Sequence, residues 1–199
     1  DSRVPTRMER FGDEENPALV AETAQYRIFQ VRWSVLEGVT GEGLLLEPKV
    51  RPAAYVVAIP DADQTPEQIV GLAPGIAHES QFARRLAEMG AGVLVPALID
   101  RTSRWSGHPD FGQTDQPHRE WIYRQPFVMG RHIIGYEVQK VLAAVEWFKH
   151  KSSEAKVGLA GYGEGGLLAL YAAAVESQID VALVSGYFDS RQEVWSEPI

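Results

Sequence analysis

The 199-residue sequence contains no cysteine. Disulfides and thiolate-bound metals are therefore excluded, while the compartment stays open. No apolar run reaches the roughly 18 residues that cross a bilayer, so no membrane partner is expected. No secretory leader is recognisable. The sequence starts at Asp1 rather than Met, which fits a processed N-terminus and favours a secreted or periplasmic chain over a cytoplasmic one. Basic residues are in the minority: 19 Lys and Arg against 27 Asp and Glu give a formal charge of -8. Binding a phosphate backbone needs a concentration of cations, and the short clusters here (Arg84 with Arg85, Lys149 with Lys151) read as solvated helix surface. A nucleic-acid partner is not expected. The five histidines, His78, His108, His118, His132 and His150, form no pair with one another or with a carboxylate at metal-ligand spacing, so neither a metal nor a cofactor is expected. Repeats, low-complexity tracts and linkers are lacking too. What is there is an ordinary globular balance, 45% hydrophobic and 23% charged, long enough for one sizeable core.

Residues 1–24 are polar, interrupted by Pro5, Gly12 and Pro17, and read as an irregular N-terminal arm with at most one short helix near Ala18, Leu19 and Ala21. Residues 25–199 read as one α/β domain. Over 26–36, Phe29, Val31, Trp33 and Val35 alternate with Gln30, Arg32 and Ser34, the period-two pattern of a half-buried strand. Gly38, Gly41 and Gly43 read as the turn, and Leu44 to Leu46 as the returning strand of an antiparallel edge pair. The pattern then changes. Residues 55–59 and 93–99 are continuous apolar runs, as in parallel strands covered on both faces, and Pro96 predicts a bulge or an end. Helices are predicted over 79–89, 130–150 and 164–176, with strands at 156–160 and 181–184. Residues 100–126 form a long polar and aromatic stretch of the kind that serves function or makes a surface excursion. Strands alternating with helices give a doubly wound, mostly parallel sheet with helices on both faces.

The most informative stretch is 157–171, where an apolar run meets a glycine cluster that opens an alanine- and leucine-rich helix. Gly161-Tyr162-Gly163-Glu164-Gly165 fits Gly-x-nucleophile-x-Gly, a strand-to-helix turn so tight that only small residues flank its apex. The apex here is Gly163, which has no side chain to attack with. The helix that follows offers free N–H groups and a partial positive charge to a developing oxyanion. A phosphate-binding loop is the weaker reading, since the dinucleotide glycine spacing and the P-loop Lys-Ser/Thr are lacking.

Through this turn, the strand 55–59 and its polar loop 60–66, the sequence resembles the α/β-hydrolase superfamily, more narrowly its dienelactone-hydrolase and acetyl-xylan-esterase-like branches. The resemblance runs from about residue 25 to the end. It implies a Ser or Cys at the apex, so Gly163 resembles a replaced nucleophile and Glu164 the ordinary residue after it. It implies oxyanion donors at the N–H of Glu164 and at one N–H near Asp61 or Ala62. The triad acid and histidine would follow two further strands, so they are expected beyond Ile199, and the polypeptide resembles the first half to two-thirds of such a domain.

Asp61, Ala62 and Asp63 follow a buried strand at the end where ligand crevices form. The two aspartates suit a cation, or simply cap a turn. Tyr162, with Trp105 and His108 from the long insertion, completes the candidate binding set, and Trp121, Tyr123 and Phe127 read either as a ligand-stacking wall or as cover for the core. Arg119, Arg124 and Arg131 are expected to pair with Asp110, Asp115, Glu120 or Glu137. Glu164 lies one residue beyond the apex and is not expected to attack, because a carboxylate is a poor nucleophile toward esters. Three readings of Gly163 stay open: a non-catalytic relative with a retained pocket, a hydrolase using another group, and an introduced substitution. The functional expectation is a relative of carboxylic- or carbohydrate-ester hydrolases, taking a small ester or carbohydrate ligand, with serine-type activity altered or lost. The alternative is a non-catalytic ligand- or protein-binding domain on that scaffold.

Overall fold

The computed structural model describes residues 4–103, 116–151 and 154–188. Eight strands form one sheet: β1 (Met8–Arg10), β2 (Leu19–Glu22), β3 (Tyr26–Leu36), β4 (Val39–Pro48), β5 (Tyr55–Ile59), β6 (Gly92–Pro96), β7 (Val157–Tyr162) and β8 (Val181–Ser185). Their order is β1-β3-β4-β6-β5-β7-β8, with β2 also on β3. Strands β5 to β8 run parallel to their neighbours within that set, and the N-terminal strands are antiparallel, including the contact of β4 with β6.

Among the described residues, helices α1 (Pro66–Ile69), α2 (Phe82–Glu88), α3 (His118–Val128), α4 (Ile133–Lys151) and α5 (Glu164–Val175), with a 3₁₀ turn at His78–Ser80, complete the elements. The sheet is covered on both sides, and the strand residues divide accordingly. Phe29, Val31, Leu45, Val57, Ile59, Leu94 and Leu159 bury one face under α4 and α5. Ile28, Leu44, Leu46, Ala58, Val93 and Val95 bury the other under α1 and α2. This is why β5 and β6 read as unbroken apolar runs: both faces of each strand are core. The α4 stripe of Val138, Val141, Leu142, Val145 and Phe148 is buried as its spacing predicts.

Several expectations need correction. The arm is not irregular throughout: β1 and β2 pair with β3. Strands of three and four residues carry no periodicity of their own, and they form because β3 offers an open row of backbone donors and acceptors. Consequently β3 and β4 are not an edge pair; β4 also bonds β6. Only Gly38, at φ 75°, turns the hairpin. Gly41 and Gly43 lie inside β4, and the Trp33 ring covers Gly41 so closely that a Cβ there would stand 2.5 Å from it. A helix, α3, occupies the end of the stretch read as a loop; Pro126 within it and its largely exposed surface conceal the pattern. The helix expected over 79–89 is a 3₁₀ turn at His78–Ser80 followed by α2.

The topology creates the crevice. From β5 the chain passes through α1 and α2 on one face to β6. From β7, the other neighbour of β5, it passes through α5 on the opposite face to β8. The segments leaving the carboxyl ends of β5 and β7 therefore diverge from adjacent points, which is the switch-point arrangement that hosts ligands in such sheets.

Candidate functional site

The chain reverses between β7 and α5 at Gly163, whose backbone stands at φ 57° and ψ -123°. An L-residue adopts this conformation only under strain. The Gly163 N–H donates to the carbonyl of Ser185 at 2.9 Å, and its own carbonyl accepts from the N–H of Gly166 at 3.0 Å. Two residues on, a Cβ at Gly165 would lie 2.2 Å from the carbonyl oxygen of Ile59. The first turn of α5 thus sits directly on the end of β5, close above the loop that leaves it.

Asp61 stands in that loop. Its backbone is held by Gln64, which donates its N–H to the Asp61 carbonyl at 3.0 Å and accepts from the Asp61 N–H through Oε1 at 3.3 Å. Thr65 and Gln68 form a reciprocal capping box that starts α1 and fixes the loop's far end. Oδ1 of Asp61 accepts two backbone hydrogen bonds, from Glu164 and from Ala62, each at 2.9 Å. A Cβ on Gly163 would lie 2.6 Å from both Cγ and Oδ1 of Asp61. The carboxylate therefore fills the space that a side chain at residue 163 would need. It also caps α5 from outside, since Gly163 supplies no side-chain cap.

Behind this pair lies a buried ion cluster. Glu164 is 8% exposed and Arg119 3% at their side chains. Arg119, in the first turn of α3, donates one Nη to Glu164 and the other to the carbonyl of Ile99 at 3.0 Å. Arg101 reaches Glu164 at 2.9 Å and Asp63 at 3.3 Å. Burial pushes the Glu164 carboxyl above its ordinary value, against the opposing pull of Arg119 and Arg101. The N–H of Ile99 donates to buried Glu137 at 2.9 Å, and Glu137 pairs with Lys140 at 2.7 Å. The segment after β6 is thereby tied to α3, α4 and α5 together.

The structure brings Asp61, Ala62, Gly163 and Glu164 to one point. Asp63 diverges toward Arg101, so the two aspartates do not converge on a cation, and no group of three or more potential ligands occurs among the described residues. Tyr162 is half exposed on an open groove of about 670 Å³ that also takes in Gln64, Ile76, Phe82 and Leu183. Trp105 and His108 lie outside the described residues. Trp121 and Phe127 are exposed rather than packed as core cover, and Tyr123 stands against Phe127 and His132. Arg124 pairs with Glu120 as expected, whereas Arg119 pairs with Glu164. The arginine clamp on Glu164 carries no sequence signal, because its members come from separate segments and follow no local spacing.

The Dienelactone hydrolase family profile matches residues 42–193. Solved structures with the same fold include a Bacteroides fragilis NCTC 9343 protein assigned as an acetyl xylan esterase, at 17% identity and TM-score 0.63 over 81% of this chain and 45% of that one. Acetyl xylan esterase 1 from Thermoanaerobacterium sp. JW/SL YS485 aligns at 14% identity and TM-score 0.56 over 96% and 55% of the two chains. An acetyl xylan esterase from Paenibacillus sp. R4 aligns at 16% identity and TM-score 0.57 over 98% and 58%. The chain spans about half the length of these structures. No curated protein matches the sequence.

Proposed function

Because this chain belongs to the dienelactone hydrolase family, we propose that its elbow is a small-molecule site, suited to an ester or carbohydrate ligand, from which serine-type acyl transfer has been lost. The observation that carries this reading is the Asp61 carboxylate at the apex of the turn. Acyl transfer by a hydroxyl or thiol needs a side chain on residue 163 and two N–H groups free to receive the substrate's oxyanion. Residue 163 is glycine, and the N–H groups of Glu164 and Ala62 are both taken by Asp61 Oδ1. Ligand access is supported by the groove beside Tyr162, whose walls from Ile76, Phe82 and Leu183 are apolar.

The test is hydrolysis of 4-nitrophenyl acetate. The wild-type chain is expected to release nitrophenol at the uncatalysed rate, with no initial burst. A burst stoichiometric with protein, or turnover that saturates with substrate, would overturn the loss of acyl transfer. Saturable fluorescence quenching of the tryptophans by short esters or acetylated sugars would report the ligand site separately.

A further inference from the structure

We propose that the C-terminal end of α3 and the turn after it dock the chain onto an anionic phospholipid surface. Apolar side chains enter the bilayer interface, and a cationic cavity beside them takes a lipid phosphate. Two observations meet there. The first is apolar exposure. Val128 and Met129 are 86% and 80% exposed, and Phe127 and Trp121 are 61% and 53% exposed. The buried residue of α3 is Arg119, at its opposite end. Trp121 and Val128 share a helix face by their spacing, and Gly130, at φ 71°, ends the helix so that residues 127–129 form its tip. Large apolar groups gathered in solvent mark an interaction surface. The second observation is a cavity of about 420 Å³ next to this tip, lined by Gly130, Arg131, His132, Tyr136 and Gln139 among others. Its four polar side chains can all donate hydrogen bonds, and among the described residues its walls hold no carboxylate. His132 accepts the Ile134 N–H on Nδ1 at 3.1 Å, so the neutral ring carries its proton on Nε2 and donates from there. Tyr123 joins tip to cavity: its ring stands 5.4 Å from that of Phe127 and 5.3 Å from that of His132.

Charge selects the occupant. The chain carries a formal charge of -8, yet the segment from Trp121 to Tyr136 contains Arg124, Arg131 and His132 and no Asp or Glu. The acids at its borders are engaged, Glu120 with Arg124 and Glu137 with Lys140. Screening confines the rest of the chain's negative charge to about 10 Å at ordinary ionic strength, so the local cations decide which surface this tip approaches. An apolar tip with cations at its base is the pattern of a segment lying in a bilayer interface, where Trp and Phe reach the acyl boundary and Arg meets anionic headgroups. A stable protein interface uses roughly 20–30 residues a side, far more than this tip offers. Reversible membrane contact instead scales with the apolar area and cationic charge that a segment brings. No helix among the described residues is long and apolar enough to cross a membrane. The contact is with the surface alone, and it departs from the sequence expectation of no membrane partner. Arg119 ties the far end of α3 to Glu164 and to the Ile99 carbonyl, which fixes the helix at its base.

The test is sedimentation of the full chain with vesicles of phosphatidylcholine, alone or with phosphatidylglycerol, at low salt. The wild type is expected to sediment with the vesicles that contain phosphatidylglycerol and to remain largely in solution with phosphatidylcholine alone. Phe127→Ser/Met129→Ser should weaken binding roughly tenfold or more, and Arg131→Gln about fivefold. Phosphatidylglycerol brominated on its acyl chains should quench tryptophan fluorescence in the wild type, and the quenching should be largely lost in Trp121→Phe. Each altered side chain is exposed, so urea midpoints should match the wild type. Wild-type chain left in solution with the anionic vesicles would overturn the proposal. So would sedimentation unaffected by Phe127→Ser/Met129→Ser, or quenching that persists in Trp121→Phe. Size exclusion decides the rival occupant: a wild-type oligomer that Phe127→Ser/Met129→Ser converts to monomer, without vesicle binding, makes the tip a contact between copies. Calorimetric binding of inorganic phosphate without vesicle binding would assign the cavity to a soluble anion and likewise sink the docking.

Discussion

Oδ1 of Asp61 lies 2.6 Å from the point where a Cβ on Gly163 would stand. A carboxylate at 61 in this position and any side chain at 163 are mutually exclusive. The glycine is thus the complement of an aspartate contributed by the loop after β5, and a side chain at 163 requires that carboxylate to be displaced.

Gly163→Ser is therefore expected not to produce an esterase. The new side chain meets the Asp61 carboxylate, and its backbone must hold φ 57° without glycine's freedom. The backbone strain alone costs about 1–3 kcal/mol. In Gly163→Ser/Asp61→Gly the overlap is relieved and the Glu164 and Ala62 N–H groups are freed. Urea unfolding of the four-member cycle should show coupling between the sites of about 0.5–3 kcal/mol. Strict additivity would mean that the Asp61 loop moves aside without cost.

Asp61→Ala removes the acceptor from two N–H groups, one of which begins α5. Loss of a helix cap costs about 0.5–2 kcal/mol, and for a chain of this size each kcal/mol lowers Tm by about 2–4 °C. Asp61→Asn keeps the acceptor and should lose less than half as much, sacrificing mainly the favourable charge at the helix N-terminus. Equal losses in the two variants, measured by calorimetry, would show that the charge rather than the cap is what matters.

The elements that could be read in the sequence are those whose burial is periodic. The alternation over 26–36, the double-sided run at 55–59, the stripe of α4 and the glycine turn at 161–165 each express a local geometric requirement. Contacts made across the sheet leave no such trace. The Glu164 N–H meets Asp61 across 103 residues, and Arg119 meets Glu164 across 45. Asp61 was legible as a loop residue near the oxyanion donors, yet nothing local indicates that its side chain turns back onto them. The short β1 and β2 are visible only once the open side of β3 is known. Helix α3 is obscured because its one fully buried residue is an arginine, Arg119, where an apolar stripe would ordinarily mark the inner face.

That arginine makes the next prediction. Glu164→Gln leaves the Arg119 guanidinium buried without its anion, and breaking a buried pair in this way costs about 3–5 kcal/mol. Arg119→Met strands Glu164 in turn, although Arg101 at 2.9 Å still partners it, so this loss should be the smaller. The double variant Glu164→Leu/Arg119→Met removes both charges and should be more stable than Glu164→Gln alone. Denaturant midpoints decide it. A double variant no better than the single would mean that the cluster's worth lies in the hydrogen bond to Ile99 rather than in charge compensation.

A second carboxylate makes stability depend on pH in the acid range. Asp180, just before β8, accepts from Lys156 at 2.8 Å, from the N–H of Val157 at 2.9 Å and from Lys149 at 3.0 Å. The Lys156 bond first, then the Val157 N–H and Lys149, hold its carboxyl well below the ordinary carboxylate range. In the unfolded chain the same group titrates near ~3.9. Between those limits the unfolded state binds the proton and the folded state does not, so protonation favours unfolding. The stabilisation is complete above about pH 5, and declines as pH falls through the unfolded value toward the lower folded one. Asp180→Asn keeps an acceptor for the Val157 N–H but cannot titrate. Its urea midpoint should lie below that of the wild type at pH 6, and the two curves should converge between pH 4 and pH 2. Parallel curves across that interval would show that Asp180 is not the group whose protonation loosens the strand pair β7 and β8.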